Sequence, residues 1–520
     1  MPLPLPSADP HPLAAGLLQT DAFHRQPLFV VDPPPGSQWR AQVVRCWNEA
    51  HALHGPARPT DVNPAYVAAL ISGNYTADAS PYQRIRRLPR AHHVLIGRDG
   101  PLQITPYDPL AGGAGAMEAE ILPLFLRQGL LDHVGHALEG HAGPIGCEHS
   151  SGLDSNAVLG ALVHGAGISP HRIHTWSNED EGEALPLEQF RPFFRLLPDQ
   201  CHRFSGYDQP LESCNQRVTQ HLRLLGAPAQ IGGNPAAVEQ LRPQGCTLLF
   251  SGHGGDQALS HNANNVPTDL VAQGRWRELI QWMGGRRAAL KVAGGRALAL
   301  THRPWAVRRV RRRTIGFWDC DLLARTLTVE GLTWLSPHLF EAYPWEMDGY
   351  VPQHVSIRQR VLADWVTVRA EEETRIAAAH GMVMVFPLLD ERLISTLLHQ
   401  DPALFGEGLR RGRLLHRRAF APFLPPFLRE NPSKARPLDG DLEPHQGHGL
   451  NLQRQLLARH LETSASWHPS LRQWWDLAAI RHEAENLLGS STPSLHDLQA
   501  TQRALARLSA LSGWWQALDS

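Results

Sequence analysis

Residues 144–163 read P-I-G-C-E-H-S-S-G-L-D-S-N-A-V-L-G-A-L-V. The short, mostly apolar run from Pro144 to His149 has the length and composition of a strand. The periodic run from Asn156 predicts a helix over 156–165. Between them lies S-S-G-L-D-S, a turn with three hydroxyls, a glycine and a carboxylate. In an open α/β sheet, ligands bind at the carboxyl ends of the strands. A helix N-terminus there offers unpaired N–H groups and partial positive charge, which suits phosphate. Gly152 lets a ligand approach the backbone closely. Ser150 and Ser155 can donate to phosphate oxygens. Asp154 would repel a bare anion, but it makes sense beside a Mg²⁺ that bridges to the phosphates. A plain N-cap serine with an acidic first turn is the alternative that needs no ligand. The G-x-x-x-x-G-K-[ST] loop is absent and no lysine lies nearby, so γ-phosphate transfer is not indicated.

A second turn of the same kind follows the strand-like run T-L-L-F-S-G (247–252). It reads S-G-H-G-G-D-Q (251–257), again with a serine, glycines and a carboxylate, Asp256. Two such turns in one sheet place Asp154 and Asp256 on one metal-bound polyphosphate.

The rest of the chain supplies the frame. Residues 1–35 are rich in proline. V-L-I-G-R-D-G-P-L-Q-I-T-P-Y (94–107) predicts a β-hairpin turning at Asp99-Gly100. A-G-G-A-G-A (111–116) reads as a flexible joint, which sets the boundary between domains at 1–115 and 116–520. A helix is expected over about 118–138, a strand at I-H-T-W (173–176), helices through roughly 187–240, and a mostly helical chain after the second turn. Strands alternating with helices predict an α/β fold, a parallel sheet with helices on both faces. No internal repeat is present.

Composition narrows the class. A chain of 520 residues is long enough for two or more domains. Its net charge of −1 gives no global attraction to nucleic acid or anionic lipid. Ten Lys and Arg with no acid fall within 286–313, but few aromatics are interleaved for base stacking. A nucleic-acid partner is therefore not expected. No apolar run is long enough to span a bilayer and the N-terminus has no signal-peptide pattern, so a cytoplasmic protein is expected. Six scattered cysteines form no C-x-x-C and read as free thiols. N-E-D-E-G-E (178–183) reads as a solvated loop, and the tryptophan pairs 474–475 and 514–515 as helix-packing core. Lysine occurs only at 291 and 434, among 49 Lys and Arg residues.

These motifs resemble the asparagine synthetase family. S-S-G-L-D-S is similar to its pyrophosphate loop S-G-G-L-D-S, and S-G-H-G-G-D-Q to its S-G-x-G-x-D-E. P-L-L-D (387–390) after H-G (380–381) resembles its P-F-L-D. R-L-L-H-R-R-A-F-A-P-F-L-P-P (413–426) followed by Lys434 resembles its C-terminal arm, which carries an active-site lysine. S-P-Y-Q-R-I-R-R-L-P-R-A-H-H-V-L (80–95) resembles the end of its N-terminal domain. The resemblance implies an ATP-pyrophosphatase-type sheet behind a degenerate N-terminal α+β domain similar to a glutamine amidotransferase domain. It implies adenylation of a carboxylate by ATP, then displacement of AMP by an amine. Ser150, Ser151, Gly152, Asp154, Ser155, Ser251, Gly252 and Gly254 would then bind the nucleotide, with Ser177 and Asn178 close to it. Asp154 and Asp256 would hold Mg²⁺, and Lys434 would stabilise the charge that develops on phosphate.

Departures from the pattern narrow the subtype. The chain begins Met1-Pro2 and its first cysteine is Cys46, so glutamine hydrolysis is not expected and the amine arrives as a substrate. His253 stands where asparagine synthetases carry an acid and β-lactam synthetases a tyrosine. It would take a proton from an attacking amine or orient it; a packing histidine in a glycine turn is the plainer alternative. Gln257 replaces the signature's final Glu, and Met384 and Val385 stand where the family has part of E-A-R. Glu372 or Glu373, in R-A-E-E-E-T-R (369–375), would pair with the reacting centre, and the sequence does not choose between them. The nearest subtype is the lasso-peptide macrocyclase. It implies a precursor core peptide as substrate, a leader-peptide-binding protein and a protease as partners, and a macrolactam as product. An asparagine- or β-lactam-synthetase-like ligase on a small amino acid, a non-catalytic nucleotide-binding scaffold and a tRNA-modifying relative are the alternatives.

Overall fold

The computed structural model describes residues 16–23, 27–33, 36, 41–44, 47–55, 57–72, 79–97, 100–179, 184–205, 220–222, 226–230, 235–300, 321–335, 351–408, 412–430 and 442–519. Lys434 and the arginine run 308–313 lie outside the described residues, as does part of the acidic loop 178–183.

The N-terminal part carries strands β1 (Gly16–Gln19), β2 (Phe29–Val31), β3 (Gln42–Val44), β4 (Ile85–Arg87), β5 (His92–Gly97) and β6 (Gly100–Pro106). They form two three-stranded antiparallel sheets, ordered β1-β5-β6 and β3-β2-β4. Val94 and Ile96 alternate with exposed His93 and Leu95, and they join Leu28, Val30, Val43 and Leu88 in one cluster between the sheets. The expected hairpin is β5–β6, with Gly97 opposite Gly100. The other face of β2 and β4 packs on two helices, Trp47–His54 and Pro64–Ser72.

The central sheet is parallel and five-stranded: β7 (Ile145–Glu148), β8 (Ile173–Glu179), β9 (Cys201–Ser205), β10 (Leu248–Phe250) and β11 (Val383–Val385), in the order β11-β10-β7-β8-β9. Both faces are covered, as a parallel sheet requires. Ile145, Cys147, Leu248 and Phe250 enter the largest core on one face. Leu249 and Trp176 pack with the helix Pro235–Leu241 and part of the helix Asp364–Ala379 on the other. Gly146 alternates onto that second side, where a Cβ would lie 2.5 Å from Leu249 Cδ2. The chain therefore has a mixed α/β fold around a parallel sheet.

Several expectations need correction. The helix after the first turn starts at Leu153, not 156. Gly152 is its extended N-cap, and Asn156 Nδ2 donates back to the carbonyls of Ser150 (2.7 Å) and Gly152 (2.6 Å), which draws Asp154 and Ser155 into the first turn. Strand β8 runs to Glu179, so Ser177 and Asn178 lie within a strand rather than after one. The cause is β9, in a region expected to be helical, which pairs with residues 175–179 and extends the ladder. Strand β11 likewise interrupts a stretch expected to be helical. Within 111–116 one glycine, Gly113, is packed, whereas Gly112 and Gly115 are exposed with open space where a Cβ would stand. A Cβ on Gly113 would stand 2.4 Å from Ser395 O, and Gln400 bonds both Met117 N and Gly115 O. Among the described residues no helix is long and apolar enough to cross a membrane.

Candidate active site

Strand order fixes where the site lies. From β7 the chain runs to β8 and β9 on one side, then crosses to β10 and β11 on the other. The switch point is therefore between β7 and β10, where a crevice opens at the carboxyl edge. The two glycine turns leave these two neighbouring strands. They line one cleft of about 350 Å³ with Glu148, Ser150, Ser151, Gly152, Asp154, Ser155, Gly252, His253, Gly254, Asp256, Gln257, Trp365 and Arg369.

Glycine lets the two turns touch. A Cβ on Gly252 would lie 2.5 Å from Ser155 N, and one on Gly255 would lie 2.2 Å from Asp154 Oδ1. Gly254 has φ +99, a conformation that favours glycine. Within the first turn the hydroxyls of Ser150 and Ser155 are 2.8 Å apart, and Ser150 Oγ accepts from Gly152 N at 3.1 Å. The two aspartates converge on one hydroxyl: Ser260 Oγ is 3.0 Å from Asp154 Oδ2 and 3.3 Å from Asp256 Oδ1.

Arg413 and His416 stand over these carboxylates. Arg413 Nη2 is 2.9 Å from Asp256 Oδ1. His416 Nε2, fully buried, is 3.1 Å from Asp154 Oδ1 but outside hydrogen-bonding geometry. Both come from the R-L-L-H stretch that resembles the family's C-terminal arm.

The opposite wall is a second charged group. Arg369, on the helix Asp364–Ala379, bonds Glu373 Oε1 through Nε (2.7 Å) and Glu148 Oε1 through Nη2 (3.1 Å). Ser251 Oγ donates to Glu148 Oε2. Burial pushes the Glu373 carboxyl up against the pull of Arg369. Burial opposes the charge on Arg369, but Glu373 and Glu148 outweigh it and hold the guanidinium above its usual range.

His253 is 5% exposed, and its Nε2–H donates to Val366 O at 3.0 Å, which leaves Nδ1 as the basic nitrogen. Burial, helped by Arg369, lowers its pKa to about 3. The imidazole is neutral at ordinary pH and a weak base, better suited to orienting a group than to taking its proton.

The run Glu371–Glu373 divides by helical spacing. Glu373 does not line the cleft but bonds Arg369, which does. Glu372 does not line the cleft; it accepts from Gln230 N at 2.7 Å. Glu371 pairs with Arg87 of β4. Ser177 is buried on β8 and does not line the cleft. Glu148, Arg369, Ser260, Arg413 and His416 were not picked out as site residues from the sequence. The R-x-x-x-E spacing of Arg369 and Glu373 was the available signal.

The residues suit a magnesium-bound polyphosphate. Asp154 Oδ1 is a buried carboxylate oxygen that accepts no hydrogen bond among the described residues. Gly252 and Gly255 form a cradle that a Cβ would fill. No group of three or more His, Cys, Asp or Glu side chains that could hold a metal occurs among the described residues. Two carboxylates would leave the remaining positions to phosphate and water, as Mg²⁺ prefers.

A parallel sheet with paired acidic glycine turns at its switch point is an α/β architecture whose cleft suits a polyphosphate. The asparagine synthase family model matches residues 215–516, more than half of the chain, and the chain belongs to that family. The match takes in the second turn and the helix of Arg369. The S-S-G-L-D-S turn lies N-terminal to it and reaches the site through the pairing of β7 with β10. No curated protein matches the chain. Family membership implies an ATP-dependent ligase that forms amide bonds, and family members bind ATP, typically with Mg²⁺.

Proposed function

We propose that the protein is an AMP-forming macrolactam synthetase of lasso-peptide type. One observation carries the adenylation half: Asp154 and Asp256, from separate turns at the switch point, converge on one Ser260 hydroxyl beside a cleft. An Asp or Glu side-chain carboxylate of a precursor core peptide attacks the α-phosphorus of ATP, and the bond to pyrophosphate breaks. The peptide's N-terminal amine then attacks the acyl carbon, AMP leaves with its oxygen, and the nitrogen loses a proton. Asp154 and Asp256 would hold Mg²⁺, which supplies charge neutralisation to the polyphosphate. The first turn binds the departing pyrophosphate through its hydroxyls and N–H groups. Lys434 stabilises the charge on phosphate. His253, neutral and tethered to Val366, orients the amine, and the Glu148–Arg369–Glu373 wall faces it. Holding amine and activated carboxyl together supplies on the order of 7–11 kcal/mol of the barrier.

In this reading residues 1–115 are a degenerate glutaminase-like module without glutaminase activity, the protein is cytoplasmic, and a leader-binding protein and a protease deliver the core peptide. The test is incubation with Mg-ATP and a leader-free peptide carrying N-terminal Gly and an internal Asp or Glu, encoded beside the gene, followed by mass spectrometry. Loss of one water per AMP formed is the expected result. ADP in place of AMP would overturn the adenylation reading. AMP formed with a small amino acid such as aspartate and never with peptide would overturn the macrolactam reading.

A further inference from the structure

The geometry points to the N-terminal module as a brace for one wall of the cleft, with Arg87 and Arg90 as positioning residues that act through the helix Asp364–Ala379. The kinetic part of the argument rests on the ligase reading above.

That helix works on two sides. Towards the cleft it presents Trp365 and Arg369, and its Val366 carbonyl holds His253. Away from the cleft it is gripped by the N-terminal module. Arg87 Nη2 meets Glu371 Oε1 at 2.9 Å, with both side chains 1% exposed. Arg87 Nη1 is itself fixed at 2.6 Å from Ala79 O. Arg375 bonds the same Glu371 oxygen and lies over the Trp47 ring, 4.5 Å from its centroid. At the start of the helix Arg90 reaches the Leu362 carbonyl, Thr367 Oγ1 (2.6 Å) and Asp364 (2.9 Å).

A buried ion pair is a weak source of stability, because desolvation offsets its attraction. A guanidinium held at two points does, however, fix the direction of its partner. Glu371 lies two residues from Arg369 and two from Glu373, on another side of the same helix. Any rotation or slide of this helix moves Arg369 off Glu148 and the Val366 carbonyl off His253. The nucleotide turns follow β7 and β10 and would stay where they are. Loss of the brace should therefore slow the chemical step more than it weakens ATP binding.

The test uses the full chain with Arg87→Met, which leaves Glu371 paired with Arg375, with Arg90→Ala, and with Arg87→Lys as the conservative variant. Peptide-dependent ATP–pyrophosphate exchange gives kcat and the KM for ATP. Hydrogen–deuterium exchange reports on the amides of residues 362–379, and thermal melting checks the fold. The expected result is a melting temperature close to wild type, kcat lower by about 10–100-fold, and KM for ATP within about threefold. Amide exchange should be faster in that helix and unchanged in β7 and β10, with partial recovery in Arg87→Lys. Wild-type kcat together with wild-type amide protection in both Arg87→Met and Arg90→Ala would overturn the brace. If the wild-type protein itself exchanges no pyrophosphate, the ligase reading fails, and amide protection alone decides the brace.

Discussion

Gly252 and Gly255 both bring the turns together, but they face different neighbours. At Gly255 an added Cβ meets Asp154 Oδ1 and Cγ, which can rotate away, and Asp154 Cβ at 2.8 Å, which can move only with its backbone. Gly255→Ala should therefore lose pyrophosphate exchange by about 10²-fold, because the displaced group is the proposed metal ligand, with a smaller fall in melting temperature than Gly252→Ala. At Gly252 the Cβ meets the backbone of Asp154 and Ser155, so Gly252→Ala should lower both activity and stability. Differential scanning fluorimetry beside exchange kinetics separates the two. Histidine burial gives a second expectation. Burial lowers the pKa of His460 to about 4, and His460 is 3% exposed. Between pH 6.5 and 4 the unfolded chain takes up a proton there that the folded chain does not, so stability falls as pH falls. The full shift corresponds to roughly 3 kcal/mol. His149 and His253 have the same sign, whereas buried Asp269, pushed up to about 6, opposes them. Urea midpoints measured from pH 7 to 4.5 should drop in the wild type and drop less in His460→Gln. At this scale the sequence was legible where residue type and turn coincide, as at Asp154 and Asp256. It could not divide Glu371, Glu372 and Glu373, because their roles depend on three different partners brought from far along the chain.

The helix Leu153–Gly160 shows how packing overrides propensity. Alanine is a better helix former than glycine by about 1 kcal/mol, so Gly160→Ala looks favourable from sequence. In the fold, a Cβ on Gly160 would lie 2.1 Å from Phe423 O and 2.6 Å from Phe423 Cβ. Backbone cannot yield cheaply there, and overpacking costs about 1–3 kcal/mol. The expected outcome is a net loss of stability, read as a lower urea midpoint, with the pyrophosphate turn strained because it opens the same helix. Elements with a long period or an apolar core were legible: the helix Ile121–Leu138, β7, β10 and the β5–β6 hairpin. Strands β9 and β11 were not. C-H-R-F-S on β9 has too little apolar content to stand out, and V-M-V on β11 is three residues long. What makes each a strand is the ladder offered by β8 or β10, which no local window contains.

Across the whole molecule, the N-terminal module and the C-terminal helices share one core. Phe29, Val31, Tyr66, Ile71 and Tyr82 pack with Leu505, Trp475, Trp514 and Trp515 of the C-terminal helices. Trp514 Nε1 donates to Tyr82 Oη at 3.3 Å, and Arg507 Nη1 bonds Ile71 O at 3.0 Å. The tryptophan pairs were legible as packing core, but Tyr66 and Tyr82, which meet Trp514, lie more than 400 residues away, Trp334, which stacks on Trp474, lies in a different helix, and no periodicity reveals them. The consequence concerns autonomy. A chain of residues 116–520 keeps the whole parallel sheet and both glycine turns, yet it bares this tryptophan-rich surface and leaves Glu371 buried beside Arg375 without Arg87. An uncovered apolar patch of that kind favours aggregation. Expressed alone, residues 116–520 should be insoluble, or bind a hydrophobic dye and melt without a cooperative transition. Co-expressed with residues 1–115, they should be soluble and recover the cooperative melt. A separated 116–520 chain that is monomeric and melts as sharply as the full protein would mean that the C-terminal helices cover themselves, and that the shared core contributes little to holding the fold.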